Sequence, residues 1–326
     1  MDIKEIDFTW DENHPIFASP GFLKSQNGTY GYFGGFSGGV LKYVLPYVIK
    51  KKLIFKYAVF HADTIYIDDS VPDEEKEFLN GVVKCLKKMK VDFVQSSPSY
   101  SLFNEFPERS VFAPFGTYLT DLTLPEEDLW NNLHQKHRNV IRNAIKNGVE
   151  IIRTKSDIDF VYDALIKTLD RSGMGFSGKD YFRGIVNSLG DNIEIFSAYK
   201  DEIFQGCAVI PFSGYSAYYL WGGSSEKPFT GAMNLLQWEA MKYFKSRGIK
   251  QYNFVGARLT AEPGSKLEGI QRFKSRFGTV MKTGYLWKMP LNPIKYQMFN
   301  LLIKIKNFGK GPSEDIIDQE RKKAVL

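Results

Sequence analysis

Between Tyr215 and Trp287 the chain runs through a buried strand pair, a helix, a further strand and a basic element that sets a lysine between phenylalanines. Few folds order their pieces that way. Ser216 to Leu220 is aromatic and apolar, and Trp221 to Ser225, with two glycines, reads as the turn that ends the run. From Ala232 to Arg247 the spacing places Leu236, Ala240, Met241 and Phe244 on one helical face, with Gly248 positioned to stop the helix. A short strand, Ile249 to Phe254, follows at once, and Gln271 to Gly278 brings Lys274 between Phe273 and Phe277.

The helix-to-strand step also occurs earlier. Asp73 to Lys90 carries Phe78, Leu79, Val82, Val83, Leu86 and Met89 on one face, ends in lysines that suit the helix dipole, and runs straight into Val91 to Gln95. Strand candidates precede each copy: Leu53 to Asp68 in the first half, and Ile193 to Tyr199 with Ile203 to Pro211 in the second. The halves read as two copies of one α/β unit, and 326 residues leave room for two domains of ordinary size. A boundary is expected near residue 124. There Thr123 to Glu126 is arranged as a capping box, opening a helix that runs through Trp130, Leu133, His137, Ile141 and Ala144 to Gly148. Pro290 and Pro293 break the chain again before Asn292 to Phe308, which repeats apolar residues at Met298, Leu301, Leu302 and Ile305 with lysines opposite. Residues 313–326 are charged and are expected to be mobile.

Hydrophobic residues at 43% and aromatics at 15% supply a core, which excludes a disordered chain. No apolar run approaches the ~20 residues of a membrane helix, and the acidic start lacks the layout of a signal peptide. Cys85 and Cys207 sit in apolar segments without partner spacing and read as reduced core residues in a cytosolic setting. A net charge of +6 favours an anionic partner without naming one; a mixed solvated surface is the plainer reading.

Three blocks resemble the FemA/FemB/FemX family, the aminoacyl-transferring enzymes that build peptidoglycan side bridges. They are the basic helix Lys136 to Glu150, then Met233 to Tyr243 with Tyr252 to Gly256, and then Phe273-Lys274 with Phe277-Gly278. The match runs from Leu124 to about Pro290. It implies an α/β fold of two tandem GNAT-like domains facing each other across a cleft: residues 1–124 with a returning segment 291–326, and residues 125–290. No sustained heptad pattern marks the coiled-coil insert that some family members carry, so this is expected to be the short form. By resemblance Lys274 is the functional lysine, thought to stabilise charge on an ester carbonyl as an amine attacks it, and Tyr181 lines the substrate cleft. Lys24 in the opening Phe17 to Lys24 segment is a further ligand candidate. Two positions depart from the family: Asn253 stands where an aspartate is usual, and Ser177 stands where the enzyme that takes a UDP-muropeptide carries an arginine.

The residues themselves leave alternatives. Arg138, Arg142 and Lys146 are four apart, a cationic stripe that suits a phosphate-bearing ligand or is simply a solvated face. Lys274 reads as an oxyanion stabiliser or a surface lysine, and Tyr181 as cleft wall or core. The candidate site is therefore Lys274 for catalysis, with Tyr181, Arg138, Arg142, Lys24, Phe273 and Asn253 for substrate. No metal is expected, because His134 and His137 share a face without a third ligand in phase. Neither a phosphate loop in Gly31 to Gly39 nor an acetyl-CoA pyrophosphate signature is evident, so no cofactor is expected. The expected activity moves an aminoacyl group, from aminoacyl-tRNA, to an amine of a nucleotide-sugar or lipid-linked cell-envelope precursor, with peripheral membrane contact open. An N-acyltransferase of a surface polysaccharide using a thioester donor is the alternative enzyme. A ligand- or tRNA-binding relative without turnover is the alternative class.

Overall fold

The computed structural model describes residues 1–67, 72–171, 175–306 and 314–324. The first unit consists of β1 (Asp2–Ile6), α1 (Pro20–Ser25), β2 (Thr29–Ser37), β3 (Val40–Lys52), β4 (Phe55–Val59), β5 (Ile65–Tyr66), α2 (Glu75–Lys88) and β6 (Phe93–Val94). The chain continues with β7 (Val111–Asp121), α3 (Glu126–Asn132), α4 (Gln135–Lys146), β8 (Val149–Arg153), α5 (Ile158–Asp170) and α6 (Lys179–Leu189). Then come β9 (Ile193–Lys200), β10 (Ile203–Pro211), β11 (Ala217–Tyr218), β12 (Trp221–Ser224), α7 (Ala232–Ser246) and β13 (Gln251–Asn253). The last elements are α8 (Lys266–Ser275), β14 (Val280–Pro290), α9 (Pro293–Lys306) and α10 (Ile316–Ala324).

The repeated step is present in both halves. The hairpin β3–β4 is followed by α2 and by β6, which pairs parallel to β4 with Tyr57 opposite Phe93. The hairpin β9–β10 is followed by α7 and by β13, parallel to β11 with Ala217 opposite Tyr252. Each parallel pair lasts only two residue pairs before its strands part. As the spacing predicts, Leu236, Ala240, Met241 and Phe244 of α7 are all buried, and Gly248 takes a positive φ of 74° beyond its end. The fold is thus α/β with two GNAT-like units.

The units are not separate sheets. β14 is antiparallel to β7 along most of its length, while its last residues, Met289 and Pro290, lie opposite Val94 and Phe93 of β6. One ten-stranded sheet therefore runs through both units, and β8, β9, β10 and β12 form a second. A large apolar cluster joins the units, with Phe17, Phe22 and Tyr32 of the first packed with Ile195, Val209, Tyr218 and Val255 of the second.

Four local expectations are corrected. Trp221 to Ser224 is an edge strand paired with β10, not a turn; its glycines permit close packing, since a Cβ on Gly223 would come within 3.0 Å of the Ala164 carbonyl oxygen on α5. The capping box does not form, because the Thr123 hydroxyl donates to Asp121 (2.6 Å) and α3 begins without a side-chain cap. The helix expected through Trp130 and Ala144 breaks at Leu133, where the backbone bridges to Phe277 and His134 N–H donates to the Arg276 carbonyl (3.0 Å). His134 then caps α4, its Nδ1 accepting from the Lys136 amide. Finally, residues 314–324 are ordered by long-range ion pairs that composition cannot reveal. Lys288 meets both Asp315 and Asp318 at 2.7 Å, Arg258 pairs with Glu320, and Ile317 is buried. Asp68, Ser172 to Met174, Asn307 to Ser313 and the last two residues, which the sequence reading touched, lie outside the described residues.

Candidate active site

α8 presents Lys274 from its last turn, and the side chain turns inward. Its Nζ donates to the carbonyl oxygens of Val255 (2.5 Å) and Gly256 (2.9 Å). Among the described residues no carboxylate pairs with it, and burial pushes its pKa down to about 8. An ammonium has three donors, so one remains for a ligand. The carbonyls point at it because the loop after β13 is turned: Val255 and Gly256 have φ of 41° and 45°. A β-branched residue in that region stores strain, the kind of geometry that persists where surroundings enforce it.

Asn253 does the enforcing. It is buried, and its Oδ1 accepts from both Thr117 Oγ1 (2.5 Å) and the Val255 amide (2.8 Å). A neutral amide oxygen closes this loop as a carboxylate oxygen could, and it leaves the lysine charge unopposed. Phe273, one residue before Lys274, packs its ring on His137 (5.5 Å) and Phe277 (5.1 Å), so it braces α8 against α4. Burial holds His137 neutral, its pKa lowered to about 4.

Tyr181 on α6 packs against the inter-unit cluster to which Val255 belongs, and its hydroxyl donates to Gln26 Oε1 (2.8 Å) at the end of α1. Lys24 is exposed on α1, two residues before that Gln26. The Lys274 cradle and Tyr181 thus border one cluster, with Lys24 at its first-unit side. The arginines are placed otherwise. Arg138 Nη1 donates to the Asn131 carbonyl (2.5 Å) and Arg142 lies 5.2 Å over the Trp130 ring, so both clasp α3 to α4.

A set of buried polar groups in the first unit escaped the sequence reading. His61 Nδ1 lies 3.1 Å from the Tyr100 hydroxyl, His61 Nε2 and Ser101 Oγ have no hydrogen-bond partner among the described residues, and the buried Glu75 carboxyl lies beside Thr64 and Tyr66. Desolvation lowers His61 to about 3 and raises Glu75 to about 7. Asp63 is also raised by burial, offset by the charge of Lys282, and it is close enough to Tyr215 and Tyr218 of the second unit to raise theirs. The available signal was the polar His61, Asp63 and Thr64 interrupting an apolar run just after β4, where β4 and β6 part. A cavity of about 910 Å³ lies elsewhere, between β6, β14, α9 and α10, where Lys288 pairs with Asp315 and Asp318.

These features define a two-unit GNAT-like protein with a desolvated lysine, held by two backbone carbonyls, beside its inter-unit cluster. The model of the FemAB family matches residues 110–205 and 199–304. The chain belongs to the FemAB family. It is 30% identical over 283 residues to a lipid II:glycine glycyltransferase of Staphylococcus epidermidis, covering 64% of this chain and 68% of that protein. It is 24% identical over 240 residues to aminoacyltransferase FemB of the same species, covering 53% of this chain and 57% of FemB. The chain therefore spans little more than half the length of FemB. Among solved structures FemX superposes with a TM-score of 0.69 at 16% identity, over 90% of this chain and 99% of that one.

Proposed function

We propose that this protein transfers an aminoacyl group from aminoacyl-tRNA to an amine of a lipid-linked cell-wall precursor. The observation that carries the reading is Lys274, an ammonium fixed by two carbonyls, without a carboxylate partner among the described residues and largely desolvated. In this reaction the amine nitrogen attacks the ester carbonyl carbon, and negative charge builds on the carbonyl oxygen. The C–N bond forms, the C–O bond to the tRNA ribose breaks, and the proton lost by the amine goes to the departing ribose oxygen. No covalent enzyme intermediate is needed, so positioning and oxyanion stabilisation dominate. Lys274, still mostly protonated at neutral pH, supplies the cation where the oxyanion forms. The names of its relatives support the acceptor class, since one is a lipid II:glycine glycyltransferase.

The test is a single-turnover assay with radiolabelled aminoacyl-tRNA, acyl-coenzyme A and lipid II or its soluble analogue. Amide product from aminoacyl-tRNA, abolished by Lys274→Met, is the expected result. Product from the thioester alone would instead make the protein an N-acyltransferase, and tRNA binding without any product would make it a binding relative.

A further inference from the structure

α9 carries two apolar faces where a packed helix needs one. Its inner face is used: Tyr296 and Phe299 lie against Phe93, at 5.3 and 4.8 Å between ring centres, and Phe299 also meets Phe55 at 5.3 Å. On the opposite side Ile294, Met298, Leu301 and Ile305, three or four residues apart, are 73%, 45%, 58% and 62% exposed. Beside this stripe stands the β3–β4 turn. Lys295 ties the two together, its Nζ lying 2.9 Å from Asp92 and 3.4 Å from the Ile54 carbonyl oxygen. The turn ends in Leu53, with a positive φ of 54°, and Ile54, which are 83% and 63% exposed. Single exposed aliphatics are ordinary on a soluble protein; a stripe of four on one helix face, with two more on the turn that Lys295 ties to that helix, is not.

The surroundings of the row are cationic. Lys51, Lys52 and Lys304 are exposed beside it. Lys87, Lys88 and Lys90, also exposed, are brought near by the bond from Lys56 Nζ to the Met89 carbonyl oxygen (2.7 Å). Among the described residues none of these six makes an ion pair. The carboxylate at hand, Asp92, is already held by Lys295 and by the Lys56 amide.

We propose that the outer face of α9 and the β3–β4 turn together dock on an anionic lipid bilayer, the aliphatic row entering the acyl boundary and the lysines meeting the headgroups. Anionic lipid fits because the row is ringed by unpaired cations, a complementarity that an apolar protein partner would leave unmet. No described helix is long and apolar enough to cross a membrane, so the contact is interfacial. The reading rests on the proposed lipid-linked acceptor only for its purpose, and binding itself requires neither donor nor acceptor.

Co-sedimentation with vesicles tests it, using phosphatidylcholine alone and phosphatidylcholine mixed with phosphatidylglycerol. The wild-type protein is expected to bind the mixed vesicles, to bind phosphatidylcholine more weakly, and to be released as salt rises. The combined Leu53→Asp, Met298→Asp and Leu301→Asp variant is expected to lose about tenfold or more in partitioning, because each charge must enter the interface. Its melting temperature should stay unchanged, since all three side chains face solvent. Failure of the wild type to bind mixed vesicles, or equal binding by the triple variant, overturns the proposal. So does a wild-type dimer that the triple variant disperses without any lipid effect, which would make this face a self-association surface. Vesicle binding in a protein that makes no amide product would sink the transferase reading and leave this surface standing.

Discussion

α8 and α4 touch, both are rich in basic residues, and α8 alone of the two turns a cation inward onto backbone carbonyls of another segment. On α4, Arg138 and Arg142 face outward and hold α3 through the Asn131 carbonyl and the Trp130 ring. On α8, a turn away, Lys274 is desolvated and its pKa is lowered to about 8. Charge count treats the two helices alike. Solvation separates them, because a cation held by neutral carbonyls in a poorly solvated site acts on developing charge far more strongly than one in water.

The sharpest way to break this contrast is Lys274→Met. The rate should fall roughly 10²-fold or more, since removing one oxyanion-stabilising group costs about 3 kcal/mol. The melting temperature should not fall, because a buried cation is removed along with the contacts. Single-turnover kinetics alongside thermal melts check both, and a variant that retains wild-type turnover would remove Lys274 from the mechanism.

Asn253→Ala is expected to come next. It frees the Val255 amide and leaves the Thr117 hydroxyl buried without its partner, a destabilisation of about 1–3 kcal/mol. Because the loop also aims the carbonyls at Lys274, turnover should drop as well. Asn253→Asp should restore the loop but place a negative charge near the ammonium; an activity profile shifted to higher pH would show it.

The pH profile of the wild type follows from Lys274 itself. Its folded pKa of about 8 lies below the ordinary 10.5, so transfer should decline as pH rises through about 8 and the cation is lost. Between 8 and 10.5 the unfolded chain binds more protons than the folded one, so this lysine makes stability rise with pH across that window. Glu75 supplies the opposite sign in the first unit. Its folded pKa of about 7 exceeds the ordinary 4.5, so the folded protein binds the extra proton and stability falls as pH rises from 4.5 to 7. Glu75→Gln should flatten that segment in denaturant titrations, and an unchanged slope would mean the carboxyl is not desolvated as described.

The smallest effect is expected from Arg138→Ala with Arg142→Ala. An exposed arginine over a ring and one exposed contact to a carbonyl contribute about 0.5–1 kcal/mol each at most, so a modest fall in melting temperature and an unaltered chemical step are expected. A tRNA affinity reduced with a shallower salt dependence would establish the phosphate-binding reading of the stripe.

Much of the second unit was legible because its signals are local. The periodicity of Leu236, Ala240, Met241 and Phe244, the stop at Gly248 and the short strand after it each depend on neighbours within a few residues. What the sequence hid depends on partners far along the chain. The break at Leu133 is set by Phe277, and the roles of Asn253 and Thr117 emerge only when residues 136 positions apart meet. The Lys274 block was readable as a motif, whereas its carbonyl partners and its missing carboxylate were not. His61 and Glu75 carried no motif at all, and burial alone makes them unusual.

β14 bonds through one edge to β7, whose other edge carries β13 of the second unit. Through its other edge it meets the first unit, where Phe103 exchanges backbone bonds with Tyr285, the Ser97 amide reaches the Trp287 carbonyl and Met289 lies opposite Val94. A single strand is thus an axle common to both units. Swinging them apart as rigid bodies would tear main-chain hydrogen bonds from a buried sheet, so wide clamshell motion is closed to this molecule. Any movement that leaves this sheet intact must therefore come from loops and side chains around it.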